Sequence, residues 1–208
     1  MTRQSYKHMS KAQDNVRTRR PAFDREAGIE IAQALFHQRG YDAVGILELT
    51  KALNINPPSL YAAYGSKAGL FGRCLARYVD EGNLPADRIL TPGRPLAEAI
   101  EELFITAARL YVKSSLRRGC LAAEGMRAND KQARELANQY TKPGMQFIED
   151  YIRQSEPERA KELGDFVVTT LRGFSAAAVT GLSRPRLLKV ARMNGQAFAA
   201  LLSLKPDI

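Results

Sequence analysis

Histidine and cysteine are scarce in this chain, which carries two of each in 208 residues. Cys74 and Cys120 stand far apart and lack metal-ligand spacing, so neither a disulfide framework nor a zinc site is expected, and both read as reduced thiols. His8 and His37 leave little imidazole for acid–base chemistry. A Gly-rich phosphate loop, a zinc-binding helix motif and a nucleophile elbow are all missing. The expectation is therefore no enzyme, no metal and no cofactor. No segment approaches the roughly 18 apolar residues of a membrane span, and the polar N-terminus lacks the apolar stretch of a secretion signal. A cytoplasmic protein with no membrane partner is implied.

Positive charge, by contrast, is abundant and uneven. Residues 1–79 hold twelve Lys/Arg against six Asp/Glu, net +6, whereas residues 80–208 hold nineteen against sixteen, net +3. A basic N-terminal third suits a polyanion, bound through phosphate contacts that weaken steeply with salt. Taken as composition alone, it suits a solubility charge equally well. Residues 1–22 show no sustained apolar period, and Arg17, Arg19 and Arg20 precede Pro21. This segment reads as a basic flexible tail, either an arm laid along a DNA groove or a disordered leader.

Punctuation is densest between Leu49 and Lys67. Leu49 and Leu53 share one helical face, and Asn54 tolerates the left-handed conformation of a sharp exit. Asn56 is a favoured N-cap with Pro57 at the first helical position; because Pro58 also lacks an N–H, the Asn56 side chain must cap Ser59. Leu60 and Tyr64 then bury one face and leave Ser59, Tyr61, Ala62 and Ala63 on or near the other. Ser66 caps the next helix, which begins with Lys67. Helix, tight turn, short helix and following helix form a helix-turn-helix pattern.

Leu60-Tyr61, the aromatic Tyr64 and Ser66-Lys67 resemble the signature of the tetracycline-repressor (TetR/AcrR) family, and Asn56-Pro57-Pro58-Ser59-Leu60-Tyr61 is similar to one recurring variant. The likeness extends from Phe23 to Val79, through Ala34-Leu35-Phe36, Gly40-Tyr41 and Leu70-Phe71. It implies an all-α fold: a three-helix helix-turn-helix DNA-binding domain over residues 23–80, and a helical ligand-binding and dimerisation domain over residues 81–208. It also implies a DNA-facing set of Asn56, Pro57, Pro58, Ser59, Tyr61, Ala63 and Lys67. In relatives the matching lysine and tyrosine meet the DNA backbone, and Ala63 falls where a polar side chain in some relatives reaches DNA, so any base reading there is limited to a methyl contact, for instance with thymine. Val44-Gly45 departs from the Ser or Thr that often starts the second helix, and Ala68-Gly69 from the acidic residue that often follows the lysine.

Beyond Asp80, residues 82–85 and 91–95 are rich in breakers and read as loop. Leu96, Ile100, Leu103, Phe104, Ala107, Ala108 and Tyr111 trace a helical face ending near Ser115. A basic corner, Arg117-Arg118-Gly119, precedes the apolar run 120–123; its Arg-Gly-Cys-Leu resembles a tetrapeptide of several family members. A helix from Asp130 to Gln154 is expected to kink or break at Pro143-Gly144. Another helix is expected from Pro157, and a last one is capped by Ser183. The final two read as a packing pair.

The resemblance further implies a four-helix dimer interface built from those last two helices, and an effector cavity for which Phe104, Tyr111, Met126, Phe147 and Phe174 are the bulky candidates. The same aromatic and Met positions also suit ordinary core. No charged cluster marks a ligand head group. Cys120 suits either a redox sensor or a buried structural thiol. Dimerisation has independent support, because one short recognition helix reads few bases whereas two related by a twofold axis read a palindrome. The function implied is a ligand-released repressor that binds a pseudo-palindromic double-stranded operator as a homodimer. The alternatives are a basic helical interaction module and a sequence-tolerant DNA-binding protein without a ligand switch.

Overall fold

The computed structural model describes residues 23–81 and 84–204. The tail assigned to residues 1–22 lies outside the described residues. Within them the chain is all-helical: α1 (Arg25–Arg39), α2 (Ile46–Leu53), α3 (Pro57–Tyr64), α4 (Lys67–Asp80), α5 (Ala86–Ile89), α6 (Leu96–Tyr111), α7 (Leu121–Gly125), α8 (Lys131–Arg153), α9 (Ala160–Val179) and α10 (Arg184–Ser203). None of these helices is long and apolar enough to cross a membrane.

Helices α1 to α4 form the N-terminal unit. Asp24 caps α1 by accepting from the amides of Glu26 and Ala27, and the Gly40 amide closes the helix onto the Phe36 carbonyl. The apolar stripe of α1 then buries Ile29, Ala32 and Phe36 against Leu70, Phe71 and Leu75 of α4. Phe71 is the keystone: its ring lies edge-on to Phe36, with centroids 5.1 Å apart, and 5.0 Å from Tyr41. Aromatic pairs at these distances add to the gain from area burial.

The C-terminal unit is arranged around α6, which is buried along Leu96, Ile100, Leu103, Phe104, Ala107 and Tyr111. Its most extensive partner is α10. Gly195 permits that approach: a Cβ there would sit 2.6 Å from Glu101 Cγ and 3.2 Å from Glu101 Cα. The expected packing pair, α9 and α10, does touch, but α10 packs chiefly on α6 and α9 on α8 and α6.

Two arginines secure helix ends. Arg159 Nη1 donates to the carbonyls of Leu201 and Leu204 at 2.9 and 3.1 Å, at the negative end of α10. Arg118 donates to the Ala178 and Leu182 carbonyls at 2.6 Å each, and the Cys120 amide donates to Ser175 Oγ at 2.9 Å. The Arg-Gly-Cys-Leu corner is thus the clasp on the end of α9.

Other expectations change in detail. The breaker-rich stretch contains the single turn α5, which buries Ile89 next to Leu90. Helix α8 runs through Pro143 without a break. Lys142, Pro143 and Gly144 all face solvent, so water can satisfy the carbonyl the proline leaves free. Helix α9 starts at Ala160 rather than Pro157, and Ser183 occupies the N-cap of α10 without a side-chain hydrogen bond.

Candidate nucleic-acid interface

Local geometry sets the angle between α2 and α3. Asn54 is left-handed (φ 52°, ψ 41°), and the Ile55 amide folds back onto the Thr50 carbonyl at 3.0 Å. Asn56 then starts α3, its side-chain oxygen accepting from the Ser59 amide at 2.8 Å. Leu60 and Tyr64 are buried, and the Tyr64 hydroxyl donates to the Arg25 carbonyl at 2.8 Å, tying the end of α3 to the start of α1. That burial raises the Tyr64 phenol to about 12, so it is a neutral donor at any physiological pH.

Pro58, Ser59, Tyr61 and Ala62 form the free side of α3, with Tyr61 47% exposed. Asn56 is exposed but its oxygen is committed to the cap, and Pro57 is half-buried. Ala63 is a correction. At 9% exposure it lies on the inner face, three residues after Leu60, because a helix buries positions i, i+3 and i+4 together. The small outward residue is Ala62. Leu47, 79% exposed on α2, is a further apolar side chain near the turn that the periodicity did not single out.

Lys67 reaches back over the Tyr41 ring, with Nζ 4.1 Å from the ring centroid. The sequence placed a cation at the positive end of a helix, and the fold supplies the compensation. Burial lowers the Lys67 pKa, while Asp42 and Asp130 oppose that shift. Tyr41 in turn donates its hydroxyl to Asp130 Oδ2 at 2.6 Å, which holds the Asp130 carboxyl below its usual value. Asp130 is the N-cap of α8, and the neighbouring Asn129 amide donates to Asp42 at 2.9 Å. This joint between the two units spans 89 residues of sequence from Tyr41 to Asp130, and no local pattern signals it.

A second tie lies nearby. His37 donates from Nε2 to the Gly119 carbonyl at 3.2 Å, its ring edge-on to Tyr78. Burial chiefly lowers its pKa below 6.5; nearby Arg117 adds to this, and the Gly119 contact and Glu124 oppose it. The unfolded chain therefore binds a proton near pH 6.5 that the folded chain refuses. Stability contributed by this histidine is complete above that pH and declines below it. Thermal melts from pH 8 to pH 5 should show His37→Asn with a flatter acid limb than the parent; parallel profiles would mean the folded ring protonates freely.

Behind the joint, a cavity of about 140 Å³ opens among α6 to α9, lined by Tyr111, Cys120, Ala123, Met126, Tyr140, Thr141, Met145, Ile148, Val168, Leu171 and Arg172, with Leu84, Ala86 and Gly144 at its edge. Of the five bulky candidates, Tyr111 and Met126 line it. Phe104 and Phe174 do not: they pack edge-on to each other, centroids 5.6 Å apart, inside the core. Phe147 is 40% exposed, because the rotation of α8 that buries Ile148 and Tyr151 turns it outward. Arg172, which the sequence left unremarked, stands at the wall. Cys120 and Cys74 are both buried, and burial pushes both thiols up, so neither is a thiolate at neutral pH. Among the described residues, no group of three His, Cys, Asp or Glu side chains could hold a metal ion.

Comparison with known proteins agrees with this arrangement. A family model described as bacterial regulatory proteins, tetR family, matches residues 29–74. The HTH-type transcriptional repressor BdcR of Escherichia coli (strain K12) is 43% identical over 194 residues, covering 93% of this chain and 98% of the relative. The HTH-type transcriptional repressor ComR of the same organism is 26% identical over 186 residues, covering 84% and 89%. Among solved structures, a cysteine mutant of the TetR family transcriptional regulator CifR, complexed with 26bp double-strand operator DNA, superposes with a TM-score of 0.75 at 28% identity. It covers 86% of this chain and 99% of that one.

Proposed function

Because the chain belongs to the tetR family of bacterial regulatory proteins, we propose that it is a repressor that grips a pseudo-palindromic operator as a homodimer and lets go when a small molecule fills the cavity behind its reading head. The observation that carries this is the free side of α3. Pro58, Ser59, Tyr61 and Ala62 face outward on a short helix whose other side is anchored by Leu60, Ala63 and Tyr64. That is how a recognition helix must be presented to enter a major groove. The name of BdcR supports repression, and the CifR complex supports an operator duplex as the partner. We place the boundary between reading head and regulatory domain at residues 80 and 81.

The outer side of α10 supports the dimer. Val190, Met193, Ala197 and Ala200 are exposed along it. Small and apolar surface at helical spacing is what a four-helix interface buries. Release would travel along α8. The cavity touches Tyr140 and Thr141 in the middle of that helix, and its N-cap holds Tyr41, on which Lys67 rests. A ligand that moves α8 therefore moves the joint, with the 1–3 kcal/mol of coupling usual for such switches.

Two experiments test this. Purified protein mixed with genomic fragments at near-physiological salt should enrich a pseudo-palindromic site that footprints as a twofold pattern; uniform binding that disappears with salt would overturn the operator reading. Tyr41→Phe should lower stability by about 1 kcal/mol, or roughly 2–4 °C in Tm, while leaving operator affinity nearly unchanged. Hydrogen exchange should quicken at the start of α8. Unaltered exchange there would remove the joint from the mechanism.

A further inference from the structure

Arg172 is poorly matched to its surroundings. On the cavity side its Nη2 lies 3.1 Å from Met145 Sδ and 4.0 Å from Met126 Sδ, and thioethers are weak acceptors for a guanidinium. Among the described residues, no carboxylate lines the cavity. On the outer side Arg172 borders a cleft that contains Glu149 and Asp165, but each has its own cation: Glu149 pairs with Arg153, and Asp165 with Lys161 at 3.7 Å. Among the described residues no ion pair to Arg172 forms. A permanently charged, planar donor thus stands at the wall of a largely apolar chamber, in contact with sulfur on the cavity side and open to solvent elsewhere.

Resting on the reading of this chamber as the effector site, we infer that the effector is a small monocarboxylate with an apolar body, and that Arg172 is its anchor. The guanidinium fork takes a carboxylate with two parallel hydrogen bonds. The apolar wall of Ala123, Ile148, Val168 and Leu171 takes the body. A second negative charge is disfavoured, because among the described residues Arg172 is the only cation lining the cavity, and an unpaired charge drawn into an apolar site is costly. An amine is excluded by the same arginine. At about 140 Å³ the chamber is comparable to an apolar cavity of roughly 150 Å³ that holds benzene, so the part of the body it encloses is of the order of one aromatic ring or a short aliphatic chain. Met126 and Met145 are flexible enough to yield when the carboxylate displaces their sulfurs from Arg172.

The test uses the full-length protein and a matched set of probes: hexanoate, benzoate, hexanamide, hexan-1-ol and hexylamine, with binding followed by ligand-observed NMR and calorimetry. The acids should bind at least about tenfold more tightly than the amide or the alcohol, a difference of about 1.4 kcal/mol, and hexylamine should not bind. Arg172→Gln should abolish the preference for acids while leaving hexan-1-ol binding and the melting temperature unchanged, since the residue is exposed. Arg172→Lys should retain part of it. Equal binding of acid and amide, acid binding that persists in Arg172→Gln, or no acid binding at all would each overturn the assignment. Footprinting of the same preparations separates the two readings: a footprint without acid binding overturns the carboxylate and leaves the operator reading standing, whereas acid binding without a footprint supports the carboxylate and overturns the operator reading.

Discussion

Lys67→Met should weaken operator binding about tenfold per subunit, and so roughly a hundredfold for the proposed dimer, because each subunit would lose the proposed charge-assisted contact to a phosphate. The more discriminating quantity is the salt dependence. Two phosphates fewer should flatten the slope of log K against log salt by about 2. Folding stability should change by no more than about 1 kcal/mol. The lysine loses its place over the Tyr41 ring, but a cation is also removed from the positive end of α4. If Lys67 serves only as a cover for Tyr41, the melting temperature will fall and the salt slope will stay as it is. Fluorescence anisotropy with a footprinted duplex at several salt concentrations decides between them. The same titration bears on the rival readings, since a sequence-tolerant binder would show equal slopes on operator and scrambled duplexes.

Phe71→Ala should be the most damaging single change, costing about 3–5 kcal/mol, or roughly 6–20 °C in Tm. The side chain is fully buried and contacts both aromatic partners of the reading head, so truncation leaves a cavity that a close-packed core cannot collapse around. Its far side abuts the other unit: a Cβ on Gly125 of α7 would sit 2.7 Å from Phe71 Cζ and 3.0 Å from Ala137 Cβ. Gly125→Ala alone should therefore destabilise by about 1–3 kcal/mol through overpacking. In the Phe71→Ala background the same methyl enters the space left by the ring, so Gly125→Ala should there be neutral or stabilising. Urea melts of the four proteins give the cycle. Additive losses would show that α7 and α4 are not in the contact described.

The reading head was legible because its signals are local. Asn54, the Asn56 cap, Pro57 and the spacing of Leu60 and Tyr64 act within a few residues of one another, and each appears in the structure as the turn, cap or buried face it specifies. Lys67 was legible as a cation at a helix start. Ala63 was misplaced because an alanine carries almost no burial signal of its own, so its side of the helix is set by the neighbours against which α3 rotates. Pro143 left kink and break open in the sequence, and the structure excludes the break: a proline breaks a helix when the freed carbonyl cannot be satisfied, and solvent exposure is not written in the local sequence.

The sequence by itself determined amphipathic helical spacing along much of the chain, a helix-turn-helix with a capped recognition helix, and a basic N-terminal third whose excess charge lies mostly in residues 1–22. All of these depend on spacing and composition over short distances. Only the tertiary structure decided that Lys67 rests on Tyr41 and Tyr41 on Asp130, that Arg118 clasps the end of α9, that Phe104 and Phe174 are core while Met126 lines a chamber, and that Arg172 stands at its wall with no ion pair among the described residues. Those facts join residues tens of positions apart, and such pairs meet only once helix packing has chosen which faces are buried together.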